Sequence, residues 1–439
     1  MRPGRSRRAR GAGVLALAAA AAVVPAATAT PARADSVRDD QMWVLNAVNA
    51  PAAWRVSQGR GVIVAVIDSG VDAAASDLTG SVITGPDLTG VGTPPSNPEW
   101  GMHGTWMASL IAGHGHDGGG SGIIGVAPMA RVLSIRVITN TQDPGYARYE
   151  RQPEARHQRE LATAIRYAVA HGAGVISMSL GVGAPSPQVR SALQDALNHG
   201  VVILASSGNS GDTAMARTQG HAPYSFPADY PGVLAIAAVG QNGAPASFSS
   251  DNSSVQVAAP GVNVPAQGKG GGFWLVSGTS PACALAAGVA ALIRSADPSL
   301  PPDLVGEAIT RTTGNRPPGG YDDQVGFGTV NAAAALAEAA RLTAQRLAGP
   351  GSRTGLRGAA ATPGLRADSY FGGGPAAVPP APVAPRGLRQ LVLFCLLAAV
   401  CLAMIVIATS RLLLMRRPVV SAVPPGRHAV PHDHPGPPA

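Results

Sequence analysis

The sequence predicts an α/β protein in which helices cover both faces of a mostly parallel central sheet. Short apolar runs indicate strands that are buried on both sides, at residues 61–67, 132–137, 175–179, 201–205 and 233–237. Helical patterns alternate with these runs, at residues 106–112, 161–170, 189–198 and directly after Ser280. Strand and helix in repetition favour a parallel sheet between two helical layers. Two further helical patterns, at residues 302–312 and 330–347, close the domain.

The charge distribution argues against a nucleic-acid partner. The chain of 439 residues has a formal net charge of +8. Residues 35–345, however, contain 17 Lys and Arg against 23 Asp and Glu, a net charge of −6. The positive excess therefore lies in the terminal segments, so we expect the domain not to bind nucleic acid.

The terminal segments predict a membrane-anchored protein. Residues 1–34 have an arginine-rich start, an apolar middle and an A-x-A cleavage site, which is typical of a signal peptide. Residues 35–348 form the predicted domain, and residues 349–388 are a Pro/Gly/Ala-rich linker. Residues 391–409 carry no charge and would span about 29 Å as a helix. We therefore expect a transmembrane helix at 389–411, a disordered cytoplasmic tail at 412–439, and a domain outside the cytoplasm.

Four polar residues stand where a parallel sheet places its sites. Asp68 and Asn209 follow apolar strand runs, whereas His103 and Ser280 precede helical patterns. Alone, each is explained as a helix cap or a turn residue. Together they suit acyl transfer, with Ser280 as nucleophile, His103 as base and Asp68 orienting the imidazole. Asn209 and the Ser280 backbone N–H would then stabilise the oxyanion.

The motifs around these residues resemble the subtilases, the subtilisin-like serine proteases. Residues 64–72, 103–105, 207–209 and 277–280 match the aspartate, histidine, oxyanion and serine motifs of that family. The resemblance implies a subtilisin-like three-layer fold and hydrolysis of peptide bonds in protein or peptide substrates. It also implies that a bound peptide pairs as an added strand. The substrate-binding residues that it implies are Ser179, Leu180, Gly181, Ser207 and Gly208.

The layout of leader, linker, apolar span and basic flank resembles a narrower group, the mycosins. These are membrane-anchored subtilases of type VII secretion systems, so the resemblance implies secretion-system membrane proteins as partners. The alternative is a structural or scaffold component of a secretion assembly whose protease fold is incidental. The intact set of Asp68, His103, Asn209 and Ser280 favours the enzyme.

We expect no metal or other cofactor. Many subtilases bind calcium in the region of residues 114–120, and Asp77 matches one family ligand, but the asparagine-rich pattern is missing. Zinc at His114 and His116 is the alternative, without a further ligand in the pattern. Cys283, near Ser280, is interpreted as a small buried apolar residue rather than a second nucleophile.

Two segments bear on regulation. Residues 35–60 predict an arm packed on the domain, because they are too few for an independent inhibitory prodomain. The insertion at residues 140–160 has a net charge near zero and is expected to be solvated. It is interpreted either as a gate beside the cleft or as a passive surface loop.

Overall fold

A computed structural model describes residues 30–31 and 37–348. The remainder of the predicted signal peptide, the linker, the transmembrane helix and the tail lie outside the described residues. The strands are β1 (Thr30–Pro31), β2 (Ile63–Asp68), β3 (Val82–Asp87), β4 (His114–His116), β5 (Ser121–Ile124), β6 (Arg131–Arg136), β7 (Val175–Met178), β8 (Val202–Ser206), β9 (Leu234–Val239), β10 (Val255–Pro260), β11 (Val264–Gln267) and β12 (Phe273–Val276). The helices are α1 (Val37–Ala47), α2 (Ala50–Ala53), α3 (Met102–Ala112), α4 (Tyr146–Glu150), α5 (Glu154–Ala170), α6 (Pro187–Asn198), α7 (Ala214–Gln219), α8 (Thr279–Ala296), α9 (Pro302–Arg311) and α10 (Ala332–Leu347).

The central sheet has seven parallel strands in the order β10-β9-β8-β7-β2-β6-β3. The five predicted strand runs correspond to β2 and β6–β9, which confirms the predicted parallel sheet. β2 lies between β6 and β7, at the point where the strand order changes direction. In open parallel sheets the crevice at such a point lies at the carboxyl ends of the strands, and Asp68 ends β2 there.

Alternate side chains of β2 enter two separate cores. Val64 and Val66 pack with the core that contains α3, α8, α9 and α10. Ala65 and Ile67 pack with α5 and α6 on the other face. Because successive side chains of a strand point to opposite faces, one buried strand can serve both cores. The arrangement is helix, sheet, helix, as the predicted three-layer fold requires.

The N-terminal arm packs against the domain, as predicted. Val44, Leu45 and Val48 are buried in the same core as α8. Trp54 donates its indole N–H to Val126 O at 2.8 Å. The arm is therefore part of the domain's packing.

Smaller sheets lie beside the central one. β12 pairs antiparallel with β11 on one side and with β1 on the other. β4 and β5 form a two-stranded antiparallel pair.

Among the residues that the structure describes, α8 alone is long and apolar enough to cross a membrane. Its mean hydropathy is 1.3, and 83% of it is buried. Because it packs against the central sheet, α8 is the core helix of this domain. The predicted span at residues 389–411 is a different segment.

Candidate active site

Asp68 places a carboxylate at the carboxyl end of the central strand. Its side chain is buried, and the Ser69 N–H donates to Oδ1 at 2.6 Å. Oδ2 is also buried and accepts no hydrogen bond from any described residue. The orientation of the carboxylate is therefore set through Oδ1.

His103 lies in the first turn of α3, directly against Asp68. Gly101, which precedes the helix, has φ +74°, a left-handed conformation that glycine adopts with little strain. His103 Nδ1 is 2.7 Å from Asp68 Oδ1. Because an ionised carboxylate only accepts hydrogen bonds, Nδ1 carries the proton, and in the neutral ring Nε2 keeps its lone pair. The ring therefore presents a base on the edge away from Asp68.

The environment of His103 favours the imidazolium. Burial lowers the pKa of His103, but the charge of Asp68 and its hydrogen bond raise it. The net result is a pKa above the usual value of 6.5. An imidazole that gains a proton during a reaction is therefore stabilised by its carboxylate neighbour.

Ser280 is the second residue of α8, at the positive end of the helix dipole. Ser179 Oγ donates to Ser280 O at 3.2 Å, which links the segment after β7 to the start of this helix. Within the described residues, His103 and Ser280 form no hydrogen bond. Contacts of this type are often long without substrate and shorten in the reacting complex.

Asn209 is held by Thr279, the residue before Ser280. Asn209 Oδ1 accepts from the Thr279 N–H at 2.9 Å and from Thr279 Oγ1 at 3.0 Å. Since a backbone N–H can only donate, the atom facing it is the amide oxygen. The Nδ2 donor of Asn209 must therefore point elsewhere.

That donor lies beside Gly278. A β-carbon built on Gly278 would be 3.4 Å from Asn209 Nδ2 and 3.7 Å from Ser280 N. Gly278 has φ +152°, a backbone conformation that glycine adopts with less strain than other residues. Two N–H donors beside one small space can stabilise an oxygen that becomes negative.

The predicted substrate-binding segment at residues 179–181 follows β7. Beyond it, Val182 and Phe226 exchange two backbone hydrogen bonds, each 2.8 Å long. The segment is thus anchored at Ser179 on the helix that carries Ser280 and at Val182 on a neighbouring loop. The roles of Ser179, Leu180 and Gly181 in binding substrate stay predictions.

The second predicted segment, Ser207 and Gly208, follows β8. The Gly208 N–H donates to Thr279 Oγ1 at 3.2 Å, and Ser207 Oγ donates to Ser250 O at 3.3 Å. Gly208 therefore stands next to the hydroxyl that orients Asn209. Binding of substrate by Ser207 and Gly208 also stays a prediction.

Cys283 lies in the core, about one turn of α8 after Ser280. Its side chain is buried, and Sγ lies 3.7 Å from Ser177 Oγ. Burial raises the pKa of the thiol to about 12. The burial of Cys283 agrees with its interpretation as a small core residue, and a raised pKa disfavours the nucleophilic thiolate.

Both carboxylate oxygens of Asp77, which matches one calcium ligand of the family, already contact protein groups. Asp77 Oδ1 lies 2.5 Å from His116 Nδ1, and Oδ2 accepts the Ile123 N–H at 2.7 Å. Arg38 Nε donates to Gly122 O at 2.9 Å in the same loop. Calcium requires six to eight oxygen ligands, whereas these carboxylate and carbonyl oxygens already accept hydrogen bonds.

The zinc alternative also finds no ligand set. His114 Nδ1 lies 2.7 Å from Gly115 O, and Nε2 lies 3.0 Å from Thr79 O. His114 and His116 thus contact different partners. Across residues 37–348 no group of three His, Cys, Asp or Glu side chains could hold a metal.

We expect a chelator to leave the melting temperature unchanged. The physical reason is that His116 and Ile123 already contact both oxygens of Asp77. Thermal unfolding with and without EGTA measures this. His116→Ala, by contrast, should destabilise the fold by about 1–3 kcal/mol, because it leaves a buried carboxylate oxygen without its partner. A melting temperature that falls with EGTA and recovers with calcium would contradict the prediction.

The insertion at residues 140–160 is partly exposed, but the expectation that it is solvated is wrong at Asp143. This carboxylate is buried and accepts from Arg136 Nη2 at 2.6 Å. Arg136 was not among the predicted site residues. Its signal in the sequence was a charged residue inside the apolar run 132–137, since a buried arginine needs partners.

Comparisons with known proteins agree with this fold and site. The model of the subtilase family (peptidase S8) matches residues 59–328. Thermitase from Thermoactinomyces vulgaris is 34% identical over 248 residues, which are 56% of this chain and 80% of thermitase.

Solved structures point to the same family. MycP1 from Mycobacterium smegmatis matches with a TM-score of 0.53 and 29% identity, over 67% of this chain and 84% of its own. Another MycP1 structure, of a serine protease that is a component of the type VII (ESX-1) secretion system, matches with a TM-score of 0.55 and 32% identity. It covers 71% of this chain and 92% of its own. These matches support the predicted mycosin-type resemblance, and the family match over residues 59–328 shows that this chain belongs to the subtilase family of serine endopeptidases.

Proposed function

We propose that this subtilase is a membrane-tethered, extracytoplasmic endopeptidase that uses Asp68, His103 and Ser280 as its triad. The observation that carries the proposal is the 2.7 Å contact between His103 Nδ1 and Asp68 Oδ1. It leaves Nε2 of the neutral ring free to act as a base, and Ser280 lies in the first turn of α8, near Gly278 and the Asn209 donor.

In the proposed mechanism, His103 Nε2 takes the Ser280 hydroxyl proton as Oγ attacks the substrate carbonyl. The imidazolium is stabilised by Asp68 and then protonates the leaving amine. The developing oxyanion accepts hydrogen bonds from Asn209 Nδ2 and the Ser280 N–H. Water then hydrolyses the acyl-enzyme in the reverse sequence of proton transfers.

Membrane tethering rests on the apolar run at residues 391–409 and on the leader-like residues 1–34. A type VII secretion role rests on the similarity to MycP1, a component of such a system. We therefore propose protein or peptide substrates outside the cytoplasm and membrane proteins of a secretion system as partners. The predicted absence of a nucleic-acid partner follows from the net negative domain.

The decisive experiment labels membranes that contain the full chain with a fluorophosphonate probe. We expect one labelled band in wild type and none in Ser280→Ala. Protease added to intact cells should remove the labelled domain if that domain faces outward. Labelling that persists in Ser280→Ala, or a label confined to the cytosol, would contradict the proposal.

The scaffold alternative makes a different prediction in cells. In cells that lack the native chain, the protease hypothesis predicts that Ser280→Ala fails to restore processing of an extracytoplasmic substrate. If Ser280→Ala restores both secretion and processing as well as wild type, the scaffold function is favoured. Immunoblots with equal protein levels of the two variants provide the control.

We expect kcat/KM to rise with pH as His103 loses its proton, with a midpoint above about 6.5, because neutral imidazole is the base. Asp68→Asn removes the charge that raises the pKa of His103 and leaves the effect of burial. The acid limb of the profile should therefore move to lower pH, while kcat falls about 10⁴-fold. A pH profile on a short peptide measures both effects. An unshifted limb in Asp68→Asn would contradict the expected role of the carboxylate.

A further inference from the structure

Arg136 is a cation fully buried at the end of the strand beside Asp68. It ends β6 and is opposite Asp68 in the register of the parallel pair β2–β6. Its side chain is 1% exposed. A permanently charged group in this position is stable only if its N–H groups are hydrogen-bonded.

The guanidinium of Arg136 binds three segments at once. Nε donates to Ser69 O at 3.0 Å. Nη1 donates to Asp87 Oδ2 at 2.6 Å and to Thr89 Oγ1 at 3.2 Å. Nη2 donates to Asp143 Oδ2 at 2.6 Å. The arginine thus joins the turn after Asp68 to the end of β3, to the loop that follows β3 and to the insertion.

Ser69 connects this network to both Asp68 and His103. Its N–H donates to Asp68 Oδ1 at 2.6 Å. Its Oγ accepts the Gly104 N–H, in the first turn of α3, at 3.0 Å. One residue therefore holds both the carboxylate and the start of the helix that carries His103.

A tryptophan ring adds a second connection. The Arg136 guanidinium lies 5.6 Å from the centroid of the Trp100 ring. Trp100 also packs against Gly70, where a β-carbon would come within 2.8 Å of the ring. Because Trp100 precedes Gly101 and α3, the arginine contacts the approach to His103 as well as the turn after Asp68.

We propose that Arg136 is a positioning residue of the triad, acting through Ser69 and Trp100 to hold Asp68 and His103 at hydrogen-bonding distance. The inference rests on the proposed triad. Arg136 acts through its neighbours, since among its hydrogen bonds the one that lies closest in the chain to Asp68 goes to the Ser69 carbonyl. Its fork of N–H groups suits this task, because a lysine ammonium cannot reach Ser69 and Asp143 in the same planar geometry.

The test compares Arg136→Met and Arg136→Lys with Arg294→Met in the full chain. Arg294 is the matched control, because it is also buried and donates to backbone carbonyls, at Leu300 and Gly200. It lies near the far end of α8 from Ser280. All rates are expressed per folded molecule, and near-ultraviolet circular dichroism measures the folded fraction of each variant.

We expect both Arg136 variants to lower kcat, by about 100-fold in Arg136→Met, with KM for a short peptide unchanged. In Arg136→Lys, which keeps the positive charge, the acid limb of the pH profile should move to lower pH, and in both variants the low-field proton signal of His103 Nδ1–H should weaken. Arg294→Met should lower the melting temperature and leave kcat, KM, the pH limb and the proton signal unchanged.

Wild-type kcat and pH profile in either folded Arg136 variant would overturn the inference. If Arg136→Met does not fold, Arg136→Lys, which keeps a cation beside Asp143, decides the question alone. Ser280→Ala in the same assay separates the two hypotheses. Activity retained in Ser280→Ala contradicts the proposed triad, whereas its loss together with full activity in Arg136→Lys contradicts only the positioning role.

Discussion

Ser280→Ala is expected to lower kcat about 10⁶-fold, the order of loss expected when the nucleophile of a serine-protease triad is removed. His103→Ala should cause a similar loss, because the serine hydroxyl is a poor nucleophile without its base. The double variant should be hardly slower than either single one, since removing one member already disables the unit. Steady-state rates on one short peptide, with protein purified identically, measure all three.

Ser295→Ala provides a matched control on the same helix. Its hydroxyl donates to Arg60 O at 2.8 Å, near the opposite end of α8 from Ser280. We expect its kcat to equal that of wild type. If the losses in Ser280→Ala and His103→Ala instead multiply in the double variant, the two residues act independently and the proposed mechanism is wrong.

Asn209→Ala is expected to lower kcat about 100- to 1000-fold with little change in KM. In the proposed mechanism the transition-state oxyanion is bound near Gly278, because a β-carbon built there would be 3.4 Å from Asn209 Nδ2 and 3.7 Å from Ser280 N. The ground-state carbonyl gains less from this donor, so the effect falls on kcat. Initial rates over a range of peptide concentrations separate kcat from KM. A raised KM with unchanged kcat would make Asn209 a substrate-binding residue.

Thr279→Val sharpens the test of Asn209. It removes the hydroxyl that donates to Asn209 Oδ1 and keeps the backbone N–H that donates to the same atom. The amide should therefore stay oriented in most molecules, and kcat should fall by less than in Asn209→Ala. A Thr279→Val loss equal to that of Asn209→Ala would show that the hydroxyl is required for the orientation.

The strands that the sequence predicted are those whose apolar runs are buried on both faces. β2 and β6–β9 are of this kind, and their ends locate Asp68 and the segment that contains Asn209. β3 and β10 were not predicted. β3 contains Gly85 and Pro86, and it lies at the sheet edge. Its extended conformation is stabilised by pairing with β6, an interaction that its own residues do not reveal.

The sequence by itself determined the chain order and local setting of Asp68, His103, Asn209 and Ser280, because strand ends and helix starts are local patterns. Only the tertiary structure decided which side chains meet. The pairing of Asp77 with His116, the orientation of the Asn209 amide and the burial of Asp143 against Arg136 are contacts between residues distant in the chain or in separate elements. Their geometry depends on how the layers pack around the sheet, and neither residue spacing nor periodicity contains that information.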